Sequence, residues 1–197
     1  MKYSLRQQFT LAEPVRVEGF GYWSGEDARV EFRPAPPDSG VIFVRSDLEH
    51  TASIAAVVSN RVEVPRRTTL VSDGASVEMV EHVLASLAGL QIDNCEVWVD
   101  RAEMPGCDGS SWPFVEALTS VERVAQSALR ECLVITTCTR VGNDECWVEA
   151  GPDPSGRLSL KYMLDYGVSG PIGRQTLEVN LSPQSFCTEL AAARTFL

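Results

Sequence analysis

Residues 76–118, SVEMVEHVLASLAGLQIDNCEVWVDRAEMPGCDGSSWPFVEAL, constrain the fold more than any other stretch, because their hydrophobic period changes twice in one run. Val80, Val83, Leu84, Leu87 and Leu90 recur at helical spacing and define a core-facing stripe. Ser76 reads as the N-cap of that helix, with Glu78 in its first turn, where a negative charge suits the helix dipole. Gly89 and residues 91–94 end it. Residues 96–100 alternate as a strand, and residues 112–118 open a second helix. A helix–strand–helix unit set among strand-rich flanks predicts an α+β chain.

The flanks read as short strands. Before the unit, residues 15–19, 28–33 and 41–45 cluster β-branched and aromatic residues between turns, and 61–64 with 68–72 read as a hairpin. Gly19-Phe20-Gly21 with Gly25 is no nucleotide-binding loop, since a strand rather than a helix follows the glycines. After the unit, residues 125–130 read as a polar connection. Residues 133–136, 146–150, 158–166 and 175–181 read as four further strands. The clearest apolar face is Leu158, Leu160, Tyr162, Leu164 and Tyr166. Ser182-Pro183 then starts a helix, with serine as N-cap and proline at the first helical position. Its expected buried side is Phe186, Leu190 and Ala193.

Composition narrows the partners. A formal charge of −10 argues against nucleic acid, which demands a basic face. The same charge gives no general attraction to an anionic membrane, although transient contact with a membrane surface is compatible with it. No run is long and apolar enough to span a bilayer, and the N-terminal residues lack the apolar core of a signal peptide. The expectation is a cytoplasmic protein. The six cysteines form no C-x-x-C pair and read as free, mostly buried thiols rather than a metal site.

Glu81-His82 is the one place where a histidine sits beside a carboxylate. A neutral imidazole is a good zinc ligand, and an adjacent carboxylate can serve as general base toward a bound water. On spacing alone an ordinary contact between Glu78 and His82, one helical turn apart, is the better account of the pair, because two residues do not make a metal site when three protein ligands are usual. The other histidine, His50, lies in a polar Asp-Leu-Glu-His-Thr segment and reads as a solvated loop residue.

The words Val80-Glu81-His82, Ala88-Gly89-Leu90, Ile92-Asp93-Asn94, Glu103-Met104-Pro105, Asp108-Gly109-Ser110 and Pro113-Phe114-Val115-Glu116 resemble the zinc-dependent UDP-3-O-acyl-N-acetylglucosamine deacetylases of lipid A biosynthesis. Phe32-Arg33-Pro34-Ala35-Pro36, Gly173-Arg174-Gln175 and Ala193-Arg194-Thr195-Phe196 extend the resemblance along the chain. It covers about the first two-thirds of the family pattern. One departure stands out: Tyr22-Trp23 occupies the place where the family has leucine and a histidine that borders the site.

The resemblance implies two two-layer α/β-sandwich domains of duplicated topology, each a sheet covered by helices. They would lie at 1–125 and 126–197, with the second truncated before its closing helix–strand–helix unit. It implies His82 as one of three protein ligands to zinc and Glu81 as the base that takes a proton from the attacking water. It also implies Thr195 as a hydroxyl that holds the oxyanion, and Phe196 as the start of a substrate-binding wall. The substrate would be a nucleotide-linked, acylated amino sugar. With two histidines in all, the chain lacks the other zinc ligands, so a missing C-terminal segment or a second chain would have to supply them. Asp108-Gly109-Ser110 reads as a turn that fixes a strand–helix junction. The alternative reading is a non-catalytic descendant that keeps the fold as a binding module or partner subunit.

Overall fold

The computed structural model describes residues 2–168 and 170–195. The chain is α+β. In order it forms β1 (Lys2–Leu11), β2 (Val15–Phe20), β3 (Asp27–Pro34), β4 (Val41–Arg45), β5 (Ala52–Ala55), β6 (Arg61–Val64), β7 (Arg67–Ser72) and β8 (Ala75–Glu78). Helix α1 (Glu81–Gly89), β9 (Cys95–Val99) and helix α2 (Trp112–Thr119) follow. The remainder is β10 (Arg123–Leu133), β11 (Thr139–Gly142), β12 (Trp147–Ala150), β13 (Ser159–Asp165), β14 (Arg174–Asn180) and a short helical turn, Pro183–Ser185, that runs into a π-helical segment, Phe186–Leu190.

The central sheet has the order β2-β3-β9-β4-β5, antiparallel except for the parallel pair β4–β9. Its strands form where the sequence alternates. Ala28, Val30 and Phe32 of β3 and Cys95, Val97 and Val99 of β9 are buried, and so are Phe43 of β4 and Ile54 of β5. Helices α1 and α2 cover this face with Val83, Leu87, Phe114, Val115 and Leu118, and the Phe114 ring meets Phe32 edge-on at 6.2 Å. The opposite face is polar: Glu31 accepts from Arg16 and Arg33, and the Arg33 guanidinium lies 3.9 Å over the Trp98 ring.

Five expectations need correction. The six cysteines are free but not mostly buried: Cys95 alone is buried, Cys107, Cys132 and Cys187 are half-buried, and Cys138 and Cys146, each just before a strand of the β11–β12 ribbon, are exposed. Ser76 does not cap α1. Asp73-Gly74 turns β7 back onto β8, Ser76 pairs with Val71, and the helix starts at Glu81. Alternating burial of Ala75 and Val77 outweighs the capping signal. Residues 125–130 are no connection; they lie inside β10, antiparallel to β1, and position 125 therefore falls within a strand. The expected strand at 133–136 ends where β10 ends, at Leu133, and residues 134–136 are irregular. Finally, Ala191 rather than Ala193 is buried beside Phe186. The bond from the Ala191 N–H to the Phe186 carbonyl, five residues back at 2.8 Å, widens the turn and moves the inward position.

The last helical segment is tied to the central unit. Ser182 caps it, as the sequence predicts, and Ser185 returns the bond to complete a capping box. Phe186 then lies against Gly89 so closely that a Cβ there would sit 2.3 Å from the ring. Gly89 is required for that approach. By contrast, β11–β12 and β13–β14 are two-stranded ribbons whose Val141, Val148, Leu160, Tyr162 and Leu177 are exposed.

Candidate active site

The backbone reaches Glu81 through a strained residue. Met79, buried between β8 and α1, has φ +59, a left-handed conformation that a long side chain adopts at a cost of about 1–3 kcal/mol. Beside it, Glu78 donates its N–H to the Ala102 carbonyl (2.8 Å) and accepts from the Met104 N–H (3.0 Å). The start of α1 and the segment after β9 are therefore laced together. That segment continues into the turn at residues 106–111, where the Asp108 carboxylate accepts the Ser110 hydroxyl (2.7 Å) and N–H (3.1 Å). Ser110 Oγ in turn accepts the Trp112 N–H (3.1 Å) at the start of α2. Asp108-Gly109-Ser110 fixes the junction as its sequence predicts. The Ser110 donations hold the Asp108 carboxyl below its usual pKa.

Glu81 and His82 stand at the open start of α1, where no side chain caps the helix. Glu81 Oε1 accepts the Thr68 N–H of β7 at 2.9 Å. Its other oxygen, Oε2, is buried and has no hydrogen-bond partner. Leaving a buried acceptor unsatisfied costs about 1–3 kcal/mol, which fits a carboxylate kept for another molecule. His82 is half-buried; its Nδ1 lies 3.4 Å from Ser111 Oγ. Burial lowers the imidazole pKa, against the pull of Glu81 and Asp108, and keeps the ring neutral at pH 7. A neutral ring retains a lone pair for a metal.

Thr195 comes to the same turn from the far end of the chain. Its N–H donates to the Gly109 carbonyl at 2.9 Å, and the neighbouring Arg194 guanidinium lies 3.4 Å from the Asp108 carboxylate. The turn at 106–111 thus touches His82 through Ser111 and Thr195 through Gly109. Phe196 lies outside the described residues. His50 is exposed in the β4–β5 connection.

The Tyr22-Trp23 loop closes over this turn. Glu103, buried, accepts the Trp23 N–H (2.8 Å) and the Ser24 N–H (2.9 Å) with its two oxygens. Burial alone would raise the Glu103 pKa, but these donations prevail and hold it below the carboxylate range. The Tyr22 ring fills the space over Gly106, where a Cβ would come within 2.7 Å of it. Burial, with Asp108 and Cys107 nearby, raises the Tyr22 pKa.

The sequence singled out Glu81, His82 and Thr195 but not Thr68, Ser111 or Glu103 in these positions. Thr68 acts through its backbone, which no side-chain pattern reveals. A serine two residues past an Asp-Gly turn, at the start of a helix, is the one signal Ser111 offered. Among the described residues no group of three or more histidine, cysteine or carboxylate side chains can hold a metal ion. Nor is any described helix long and apolar enough to cross a membrane.

Comparison with known proteins gives the family of the chain. Residues 8–197 match the family described as LpxC, UDP-3-O-acyl N-acetylglycosamine deacetylase. Among curated relatives, a UDP-3-O-acyl-N-acetylglucosamine deacetylase of Thioalkalivibrio sulfidiphilus is 38% identical over 193 residues, covering 96% of this chain and 62% of that protein. One of Myxococcus xanthus is 35% identical over 196 residues, covering 100% and 62%. A bifunctional LpxC/FabZ enzyme of Chlorobaculum tepidum is 35% identical over 192 residues, covering 98% and 41%. The chain spans about 62% of the length of the deacetylases it matches. On a family match that runs through both Glu81-His82 and Thr195, the chain belongs to the UDP-3-O-acyl-N-acetylglucosamine deacetylase (LpxC) family.

Proposed function

We propose that this chain supplies the general base and one metal ligand of a zinc-dependent amidohydrolase that removes the acetyl group from a nucleotide-linked, 3-O-acylated N-acetylglucosamine. The observation that carries the reading is the Glu81 carboxylate: one oxygen is pinned by the Thr68 N–H, and the other is buried without a partner next to a neutral imidazole. The residues present fit a share of a zinc site. His82 offers one nitrogen, and two further protein ligands come from polypeptide beyond these 197 residues or from a second chain. Bound zinc would supply Lewis acidity toward the amide carbonyl.

The chain's own residues do the rest. Glu81 Oε2 takes a proton from the attacking water, while the Thr68 N–H keeps the carboxylate from turning away. Ser111 restricts the orientation of the His82 ring through Nδ1, leaving Nε2 for the metal. The Thr195 hydroxyl, placed by the bond from its N–H to Gly109, donates to the oxygen on which charge develops. Phe196, next in sequence, is assigned to substrate contact by the family resemblance alone. Residues 1–125 and 126–197 correspond to the two duplicated domains of the family, and the site works in the cytoplasm, where nucleotide sugars are made.

The test completes the chain with the C-terminal segment of the Thioalkalivibrio sulfidiphilus relative and measures acetate release from the acylated nucleotide sugar in the presence of zinc. Turnover is expected, and Glu81→Gln lowers kcat by about 10²–10⁴-fold, the span of general-base catalysis, with zinc content unchanged. Full activity in Glu81→Gln sinks the assignment of the base. A completed chain that folds and binds zinc without turnover favours the non-catalytic reading. The 197-residue chain alone is expected to bind zinc weakly and to turn nothing over, and tight stoichiometric zinc on it would contradict the ligand count.

A further inference from the structure

Trp23 is half exposed, although its backbone N–H is bonded to a buried carboxylate. Its N–H and that of Ser24 are both taken by the buried Glu103, so the loop cannot withdraw the indole without breaking two bonds to a charged acceptor. The Arg67 guanidinium lies 5.4 Å from the centre of the indole ring. Arg67 is the first residue of β7, immediately before Thr68, whose N–H holds Glu81. Successive strand residues are about 3.3 Å apart, so the indole–guanidinium pair is carried one strand residue away from the backbone N–H that holds Glu81.

The chemistry of the pair limits what it can recognise. Arg67 Nε lies 3.2 Å from Glu78 Oε2, so its charge is largely offset. A compensated guanidinium suits neutral hydroxyl groups better than a diphosphate, which calls for uncompensated charge. A partly exposed indole presents a flat apolar surface edged by polar groups, the form that stacks against the apolar face of a sugar ring. The part of a nucleotide-linked amino sugar that lies nearest its amide is the pyranose itself.

We propose that Trp23 and Arg67 form a pyranose-binding rim beside Glu81. The indole stacks on the sugar ring, and Arg67 donates hydrogen bonds to its hydroxyl oxygens. This inference rests on the deacetylase reading of the same site and assigns it the residues that orient the sugar. Trp23 and Arg67 are positioning residues: they touch the substrate away from the scissile bond and set the amide against Glu81. The Glu103 clamp fixes the backbone that carries the indole before ligand arrives, so less ordering is left to oppose binding.

The test titrates the full 197-residue chain with UDP-N-acetylglucosamine and with UDP, following the pyranose protons by saturation-transfer NMR and the affinities by calorimetry. The wild type is expected to saturate the pyranose protons. Trp23→Ala should weaken UDP-N-acetylglucosamine about tenfold or more, the order that loss of one aromatic stack produces, and leave UDP affinity unchanged. Trp23→Phe should retain most of the binding. Arg67→Met should weaken the sugar ligand several-fold without changing UDP. Circular dichroism of each variant should match wild type, since Trp23 is half exposed and methionine keeps the apolar stem of the partly buried Arg67. Equal affinity of Trp23→Ala and wild type for UDP-N-acetylglucosamine overturns the rim. Equal loss of UDP and UDP-N-acetylglucosamine overturns it too, placing the indole on the base instead. Absence of pyranose saturation in the wild type has the same force. Failure of the deacetylase reading would appear elsewhere, as turnover that survives Glu81→Gln in the completed enzyme, and would leave these affinities untouched.

Discussion

At the scale of single residues, carboxylates divide by what their oxygens meet. Glu81 has one oxygen bonded and one buried and idle, whereas both oxygens of Glu103 are bonded to the 22–25 loop. The first arrangement leaves one acceptor oxygen unengaged; the second ties down a loop. Glu103→Gln tests the second. Glutamine offers one acceptor and one donor, so an N–H of the loop faces an NH₂ and is left unsatisfied, at a cost of about 1–3 kcal/mol. The pH dependence has a definite sign. The folded-state pKa of Glu103 is lowered, so its contribution is present above the carboxylate's ordinary value of 4.5 and is lost as pH falls through the folded value. Chemical denaturation of wild type and Glu103→Gln at stepped pH should therefore show a stability gap at pH 7 that closes under acid. A gap that is constant down to pH 3 would show that the carboxylate is not the clamp.

At the scale of elements, sequence and structure agree wherever one face alternates against a core. Strands β2, β3, β4 and β9 and helices α1 and α2 were legible because Val30, Phe32, Val97, Val83 and Leu87 repeat at periods of two or near 3.6. Strands β1 and β10 were not. Their pairing joins residues more than a hundred positions apart, and most β10 side chains are exposed, so no local alternation marks them. Strand β8 was hidden by Ser76 and Glu78, which imitate a helix start. Of the site, Glu81, His82 and Thr195 could be read from residue types in a family pattern, whereas the closeness of Gly109 to Thr195 is a product of folding alone. The contact of Phe186 with Gly89 is what carries the chain toward that closeness, and it can be tested. Gly89→Ala gains about 1 kcal/mol of helix propensity but forces a methyl to 2.3 Å from a buried ring. Overpacking of that kind costs about 1–3 kcal/mol. A net loss of stability is expected by urea denaturation. Phe186→Ala removes the obstruction, so Gly89→Ala should cost nothing in that background. Additive losses in the double variant would show that the two residues do not meet.

At the scale of the whole molecule, apolar surface is distributed unevenly. The central sheet and its helices bury Phe32, Phe43, Ile54 and Val97 completely, whereas in the ribbons Val141 and Val148 are 72% and 75% exposed and Tyr162 60%. A two-stranded ribbon in water is marginal by itself, because its one apolar face has nothing to pack against. The formal charge of −10 opposes association of such faces between molecules without stabilising the ribbons themselves. Local stability should therefore be graded along the chain. Amide hydrogen exchange is expected to be slow in β3 and β9 and faster by about tenfold or more in β11–β14, since opening the ribbons exposes little that was buried. Joining the chain to the C-terminal segment of the Thioalkalivibrio sulfidiphilus relative should slow exchange in β13 and β14 toward the values of the central sheet, with β3 and β9 unchanged. Protection that is already uniform in the 197-residue chain would mean that the ribbons are held by something other than burial. Protection that stays low in the joined protein would mean that their apolar faces are not where the rest of a deacetylase packs.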